Sequence, residues 1–170
     1  GLEGKLLTLH TQRELGPCGN LQLIAFMAEN DLMNYFDLQS ALYELAQRGQ
    51  VVREQVPGDD RYAITPLGEE AITLFQGRLG ASALDKVDAA VPAFRERLRR
   101  ERELHAAISH QGRNEYHAHM GISEGGMRLM QLDLSLPTAE LAERFRGNWA
   151  QMARDIYDYI INRLSGEGLP

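Results

Sequence analysis

His117 and His119 stand two residues apart in EYHAHMGI, so in a strand both imidazoles leave the same face. Imidazole is a common metal ligand, and His105 or His110 could approach from a neighbouring strand. No carboxylate or cysteine completes a recognised zinc spacing around them. Their face also lies opposite the apolar one formed by Tyr116, Ala118 and Met120. They are therefore read as surface histidines, and no metal is expected. Cys18, in GPCGN, has no evident activating base and reads as a loop thiol. As the only cysteine, it also leaves no internal disulfide to form. Trp149, Tyr157 and Tyr159 recur at helical spacing, which fits a core stripe, a ligand pocket or a dimer interface. The sequence has no nucleophile elbow, phosphate-binding loop or paired-carboxylate constellation. Neither an enzyme nor a cofactor is expected.

Recognition chemistry is better represented, in the segment 34–48 and the stretch that follows it. With Leu38, Ala41, Leu42 and Leu45 turned inward, a helix here presents Tyr35, Gln39, Ser40, Tyr43, Gln47 and Arg48 outward. Gln39 has the donor–acceptor pair that matches adenine, and Tyr35 and Ser40 are suited to phosphate contact. Asp37 and Glu44 lie among them and would be repelled by phosphates. Arg53 and Arg61 flank a polar turn at Pro57, Gly58, Asp59 and Asp60, where an arginine could enter a minor groove. The competing reading is a helix and a turn whose outer surfaces meet water or another protein.

These residues need elements to position them. Residues 5–14 read as a helix, and Pro17 with Gly16 and Gly19 breaks it. Asn20 is a candidate cap for a second helix to Glu29, with Leu21, Ile24, Ala25 and Ala28 on one face. Asn34 caps a third helix, which Gly49 stops. The period then changes: residues 50–56 and 61–65 read as strands around the polar turn. Pro66 opens a fourth helix to Leu79, with Leu67, Ala71, Ile72 and Phe75 apolar. Residues 83–103 form a long helix containing Pro92, with Ala90, Val91, Phe94 and Leu98 as a narrow stripe and RERLRRERE as a solvated face. Residues 104–110, 115–122 and 127–136 read as a three-stranded antiparallel meander, and SEGG forms one of its loops. A final helix opens at Pro137 and Thr138, carrying Leu141, Phe145, Trp149, Met152, Ile156, Tyr159, Ile160 and Leu164. The expected class is α+β. A winged helix-turn-helix spans 1–80, a connecting helix 81–103, and a small α+β domain of three strands and a helix 104–170.

The 170 residues are 44% hydrophobic and 25% charged, enough apolar material for a core without a stapling metal. No apolar run approaches the roughly 20 residues of a membrane span, and a cytoplasmic location is expected. The net charge is −6. Residues 1–79 hold six basic against eleven acidic side chains, an unusual balance for a module that neutralises phosphates.

NYFDLQSALYELAQRGQV (34–51), RYAITPLGEEAITLF (61–75), LDLSLPT (132–138) and NWAQMARDIYDYIINRL (148–164), in this order, resemble the bacterial family of unknown function numbered 4364. The resemblance covers nearly the whole chain. It implies a winged-helix N-terminal half and a role in transcriptional regulation, and it brings no ligand and no catalytic residue. The expected function is a transcriptional regulator whose winged helix contacts duplex DNA, as a homodimer. The C-terminal domain would serve dimerisation or sense a small-molecule effector. The alternative is a protein–protein interaction module that uses an acidic winged helix without binding DNA.

Overall fold

A computed structural model describes residues 1–56 and 59–166. Pro57 and Gly58 of the expected turn lie outside the described residues, as does the chain beyond Gly166. The chain divides into two compact units, Gly1 to Leu98 and Arg99 onward. Among the described residues it is α+β, with six α-helices and two three-stranded antiparallel sheets.

The first unit is built around α1 (Leu2–Leu15), in which every residue from Leu6 to Gln12 is buried. Four of these are polar, and Thr8, His10 and Gln12 find side-chain partners. Thr8 donates to the Gly4 carbonyl at 2.8 Å, and Gln12 donates to Cys18 Sγ at 3.4 Å. His10 is held at both ring nitrogens: Arg13 lies 3.0 Å from Nδ1, and Asp88 Oδ1 lies 2.9 Å from Nε2. A guanidinium can only donate, so Nδ1 accepts and Nε2–H points at Asp88.

Residues 15–20, expected as a plain break, contain the short strand β1 (Cys18–Gly19). Cys18 is buried there and is not a loop thiol. The second helix, α2 (Asn20–Glu29), is capped by Gly19, which corrects the expectation for Asn20. Its buried face is Leu23, Phe26 and Met27, whereas Leu21 is 62% exposed and Ala28 is exposed too. The two candidate faces of this ten-residue apolar helix differ little in hydrophobicity, and the bulkier Phe26 and Met27 take the inside.

The third helix, α3 (Tyr35–Gln47), follows the sequence closely. Asn34 Oδ1 accepts from the Asp37 amide at 2.8 Å, and Leu38, Ala41, Leu42 and Leu45 are buried. At its end Gly49 adopts φ +70°, Gln50 N–H bonds the Leu45 carbonyl at 2.9 Å, and Gly49 N–H bonds the Ala46 carbonyl at 3.1 Å. This pair of bonds is a Schellman ending, which needs the left-handed residue that glycine supplies.

Strand β2 (Val51–Glu54) pairs antiparallel with β3 (Arg61–Ile64), Arg53 opposite Tyr62 and Glu54 opposite Arg61, and β1 adds to the other edge of β3. Thr65 caps α4 (Pro66–Phe75) by accepting from Gly68 N–H at 3.1 Å. Gly68 permits a close approach: a Cβ there would sit 2.1 Å from the Gln50 carbonyl oxygen. Only Ile72 of the expected apolar set is fully buried, while Leu67 and Phe75 are exposed. A short 3₁₀ turn (Gln76–Arg78) leads to α5 (Ala81–Glu103), which runs on through Pro92. Val87, Val91, Phe94 and Leu98 are buried in the first core, with Phe94 edge-on to Phe26 at 5.1 Å. The segment to Leu98 therefore packs in the core of the first unit.

In the second unit, β4 (Leu104–Gly112), β5 (Glu115–Glu124) and β6 (Met127–Leu136) form the meander in sequence order. Ala118 lies between Ile108 and Leu134, Met120 between Ala106 and Leu132, and Ile122 between Leu104 and Met130, all on one face. Gly125 and Gly126 turn the last hairpin at φ +56° and +81°. Helix α6 (Ala139–Ser165) starts at Thr138, whose hydroxyl accepts from the Leu141 amide at 3.2 Å, and covers the apolar face. Trp149 is 2% exposed, and its indole N–H donates to the Gly121 carbonyl at 3.0 Å. The expected stripe continues only part of the way: Met152, Tyr159 and Leu164 are exposed, Leu164 by 83%. A helix of 27 residues is about 40 Å long. A ten-residue strand reaches only about 33 Å, so the helix is longer than the strands beneath it.

Candidate nucleic-acid interface

Asn34 and Asp37 set the start of α3, and the four buried residues behind it fix which side faces out. Tyr35, Ser40, Tyr43, Gln47 and Arg48 all lie on the exposed surface, with Tyr43 68% exposed. Phe36, which the sequence reading passed over, is 79% exposed and meets Tyr35 edge-to-face at 5.3 Å. Its signal was available in the spacing, because position 36 falls outside the Leu38, Leu42, Leu45 row.

Gln39 is turned aside, half-buried, with its amide donating to Asn20 Oδ1 at 2.8 Å. Reading an adenine with both amide atoms would require giving up this bond between α3 and the start of α2. Glu44 pairs with Lys5 at 3.0 Å. The Lys5 hydrogen bond and charge hold its carboxyl below the usual range. Lys5 and Glu44 also line, with Asp37 and Ser40, a groove of about 520 Å³ beside the first turns of α1.

Two acids of the β2–β3 turn, Asp59 and Asp60, make contacts within the fold. Asp59 Oδ2 accepts from the Leu21 amide at 2.8 Å, and the Asp60 carbonyl accepts from the Asn20 amide at 2.8 Å. Asp60 also holds Arg53 through a 3.1 Å ion pair. Arg61 lies opposite Glu54 in the β2–β3 register and opposite Gly19 on the β1 side. Among the described residues, exposed Arg48 at the end of α3 and half-buried Arg61 on β3 make no ion pair, unlike Lys5 and Arg53. Burial pushes the nearby Cys18 thiol up to about 12, partly opposed by the Arg61 charge. It stays protonated at neutral pH.

The histidines separate. His117 and His119 share the sheet face turned away from the core, as expected, with ring centroids 6.1 Å apart. His117 meets Glu115 at 3.2 Å, and His119 meets Asp133 at 2.6 Å. The His119 hydrogen bond lowers the Asp133 pKa. His105 is also on this face, and burial together with Arg128 lowers its pKa. His110 lies on the opposite face, stacked on Tyr116 at 4.5 Å. Among the described residues, no group of three or more His, Cys, Asp or Glu could hold a metal ion. Of the aromatic trio, Trp149 is core, Tyr157 is half-buried and Tyr159 is exposed beneath the Arg163 guanidinium at 6.0 Å.

These features define a two-unit α+β protein with an exposed polar and aromatic helix face and no membrane-spanning helix among the described residues. The chain belongs to the family described as a domain of unknown function, DUF4364, whose profile matches residues 4–164. No curated protein and no solved structure matches it.

Proposed function

We propose that the first unit is a winged helix-turn-helix that docks α3 against duplex DNA in a cytoplasmic transcriptional regulator. In this reading α2 and α3 are the helix-turn-helix, β2 and β3 the wing, and the second unit serves homodimerisation or effector sensing. One observation carries it. The early turns of α3 expose Tyr35, Ser40 and Tyr43 beside an antiparallel strand pair whose acids, Asp59 and Asp60, are drawn into capping and pairing. Each phosphate contact contributes about −0.9 to the slope of log affinity against log salt. With Arg48 and Arg61 as the principal contacts, binding is shallow in salt for each copy. Selection of genomic duplex fragments at low salt is expected to enrich a discrete motif. Arg48→Ala and Arg61→Ala should each weaken binding and flatten the salt slope by roughly one contact. Absence of duplex retention at low ionic strength rejects the reading.

A second reading is favoured by Phe36, Tyr35 and Tyr43, an exposed aromatic group on a protein of net charge −6. Aromatic anchors with acidic neighbours suit a basic protein partner. Phe36→Ala separates the two, since it should abolish protein capture and leave DNA retention near its original level.

A further inference from the structure

Across the outward face of the β4–β5–β6 sheet, five side chains form one directed hydrogen-bond chain. Gln111 Nε2 lies 2.8 Å from Ser109 Oγ, Ser109 Oγ 2.8 Å from His119 Nε2, and His119 Nδ1 2.6 Å from Asp133 Oδ1. Gln131 Nε2 closes the far end, 3.2 Å from the same Asp133 oxygen. Each direction follows from the groups at the ends. A carboxylate only accepts, so His119 Nδ1 carries the proton. The Nε2 lone pair then faces Ser109. The Gln111 amide nitrogen only donates, so it fills an acceptor position on Oγ and leaves the Ser109 O–H to point at Nε2. His119 and Asp133 are directly opposite in register, and Ser109 is diagonal to His119 across the β4–β5 pair. A nucleophile in hydrogen-bond reach of a base, itself oriented by an acid, is the defining geometry of nucleophilic acyl transfer, recognised by role and not by sequence order.

We propose that Ser109, His119 and Asp133 form an acyl-transfer site for small esters with good leaving groups. Ser109 Oγ attacks the ester carbonyl carbon while its proton passes to His119 Nε2. As Oγ bonds to carbon it becomes a poorer acceptor, and the Gln111 Nε2–H that it holds in the resting site shifts to the adjacent oxyanion. The carbon–oxygen bond to the leaving group breaks, and that oxygen takes the proton from His119. Water then attacks the acyl-Ser109 ester and gives its proton to His119; the carbon–Oγ bond breaks, and Oγ takes that proton from His119, which releases the acid and restores the hydroxyl. Asp133 is a positioning residue that holds the Nδ1–H tautomer. The site lies on an open sheet face with a single side-chain oxyanion donor. That arrangement selects activated, short acyl groups, which need neither a deep pocket nor strong oxyanion stabilisation.

The test uses the full chain with a fluorophosphonate probe and with p-nitrophenyl acetate. Peptide mapping is expected to locate a single phosphonyl adduct on Ser109, formed faster than on the urea-unfolded chain and absent in Ser109→Ala. His119→Gln should slow the labelling at least about 100-fold. Asp133→Asn should lower kcat for p-nitrophenyl acetate with KM little changed, because Asp133 does not touch the ester. The folded-state fluorescence of Trp149, buried on the other face of the same sheet, controls for the integrity of both variants. No adduct on Ser109 in the wild-type chain overturns the proposal. So does an adduct whose rate is the same in the unfolded chain or in His119→Gln, or an Asp133→Asn effect confined to KM.

Discussion

At the scale of single residues, Cys18 shows how position overrides type. In GPCGN it has the look of an exposed loop thiol, yet it pairs opposite Tyr62 in the sheet and receives a hydrogen bond from buried Gln12. Burial raises its pKa from 9.0 to about 12. The folded state therefore favours the neutral thiol, and the unfolded chain gives up the proton first. The contribution to stability is complete below about pH 9 and is lost as pH rises toward 12, approaching about 1.4 kcal/mol per pH unit. Urea midpoints of the wild type and Cys18→Ala should converge as pH rises from 8 to 10, because only the wild type pays this proton-linked penalty. A gap that stays constant across that range contradicts it. The residue-scale reading was sound where side-chain chemistry is local, as at Asn34 and Gly49. It could not supply the partner of Gln39, because Asn20 is 19 positions away.

At the scale of elements, the start of α2 is assembled from two parts of the chain. Gln22 Oε1 accepts from the Gly19 amide at 2.7 Å, half of a capping box. The Leu21 amide is satisfied by Asp59, brought from the β2–β3 turn. Gly19 leaves the room for it, since a Cβ there would lie 2.5 Å from the Asp59 carboxylate. Asp59→Ala should cost the first unit about 0.5–2 kcal/mol, the range for a lost helix cap. Asp59→Asn, which keeps an acceptor, should cost less. Thermal unfolding checks the size, and hydrogen exchange at Leu21–Leu23 checks the place. Equal loss in the two variants removes the capping role. A cap supplied from 38 positions away leaves no local pattern, which is why Asn20 was preferred in the sequence. The same limit explains α1. A helix buried on all sides has no polar face to give it a period, so its buried Thr8, Thr11 and Gln12 could not be anticipated. Helix α3 and the meander were legible because each has one wet and one dry face, and a period that fits only one register. The exposed face of α3 was read in the same way, apart from Phe36, which is exposed, and Gln39, which is half-buried. The Ser109–His119–Asp133 arrangement was not, since three strands must be aligned before its members meet.

At the scale of the whole chain, two hydrophobic cores share no residue. One gathers α1 to α5 around Phe26, Leu42 and Ile72, and the other gathers the meander and α6 around Met120, Ile122 and Trp149. Cores that share no side chains need not unfold together. The sequence contains a single tryptophan, and Trp149 sits in the second core. Its fluorescence therefore reports the second unit alone, while far-UV circular dichroism reports both. Leu45→Ala opens a cavity beneath α3 and should cost the first unit about 2–5 kcal/mol. The urea transition followed by circular dichroism should then split or shift to lower denaturant, with the fluorescence midpoint unchanged. Ile122→Ala should do the reverse, moving the fluorescence midpoint and leaving the first unit's share of the ellipticity change in place. If Leu45→Ala moves both signals by the same amount, the units unfold as one cooperative body. The face of α3 and the histidine face of the sheet would then be coupled through stability, and a ligand on either would be felt at the other.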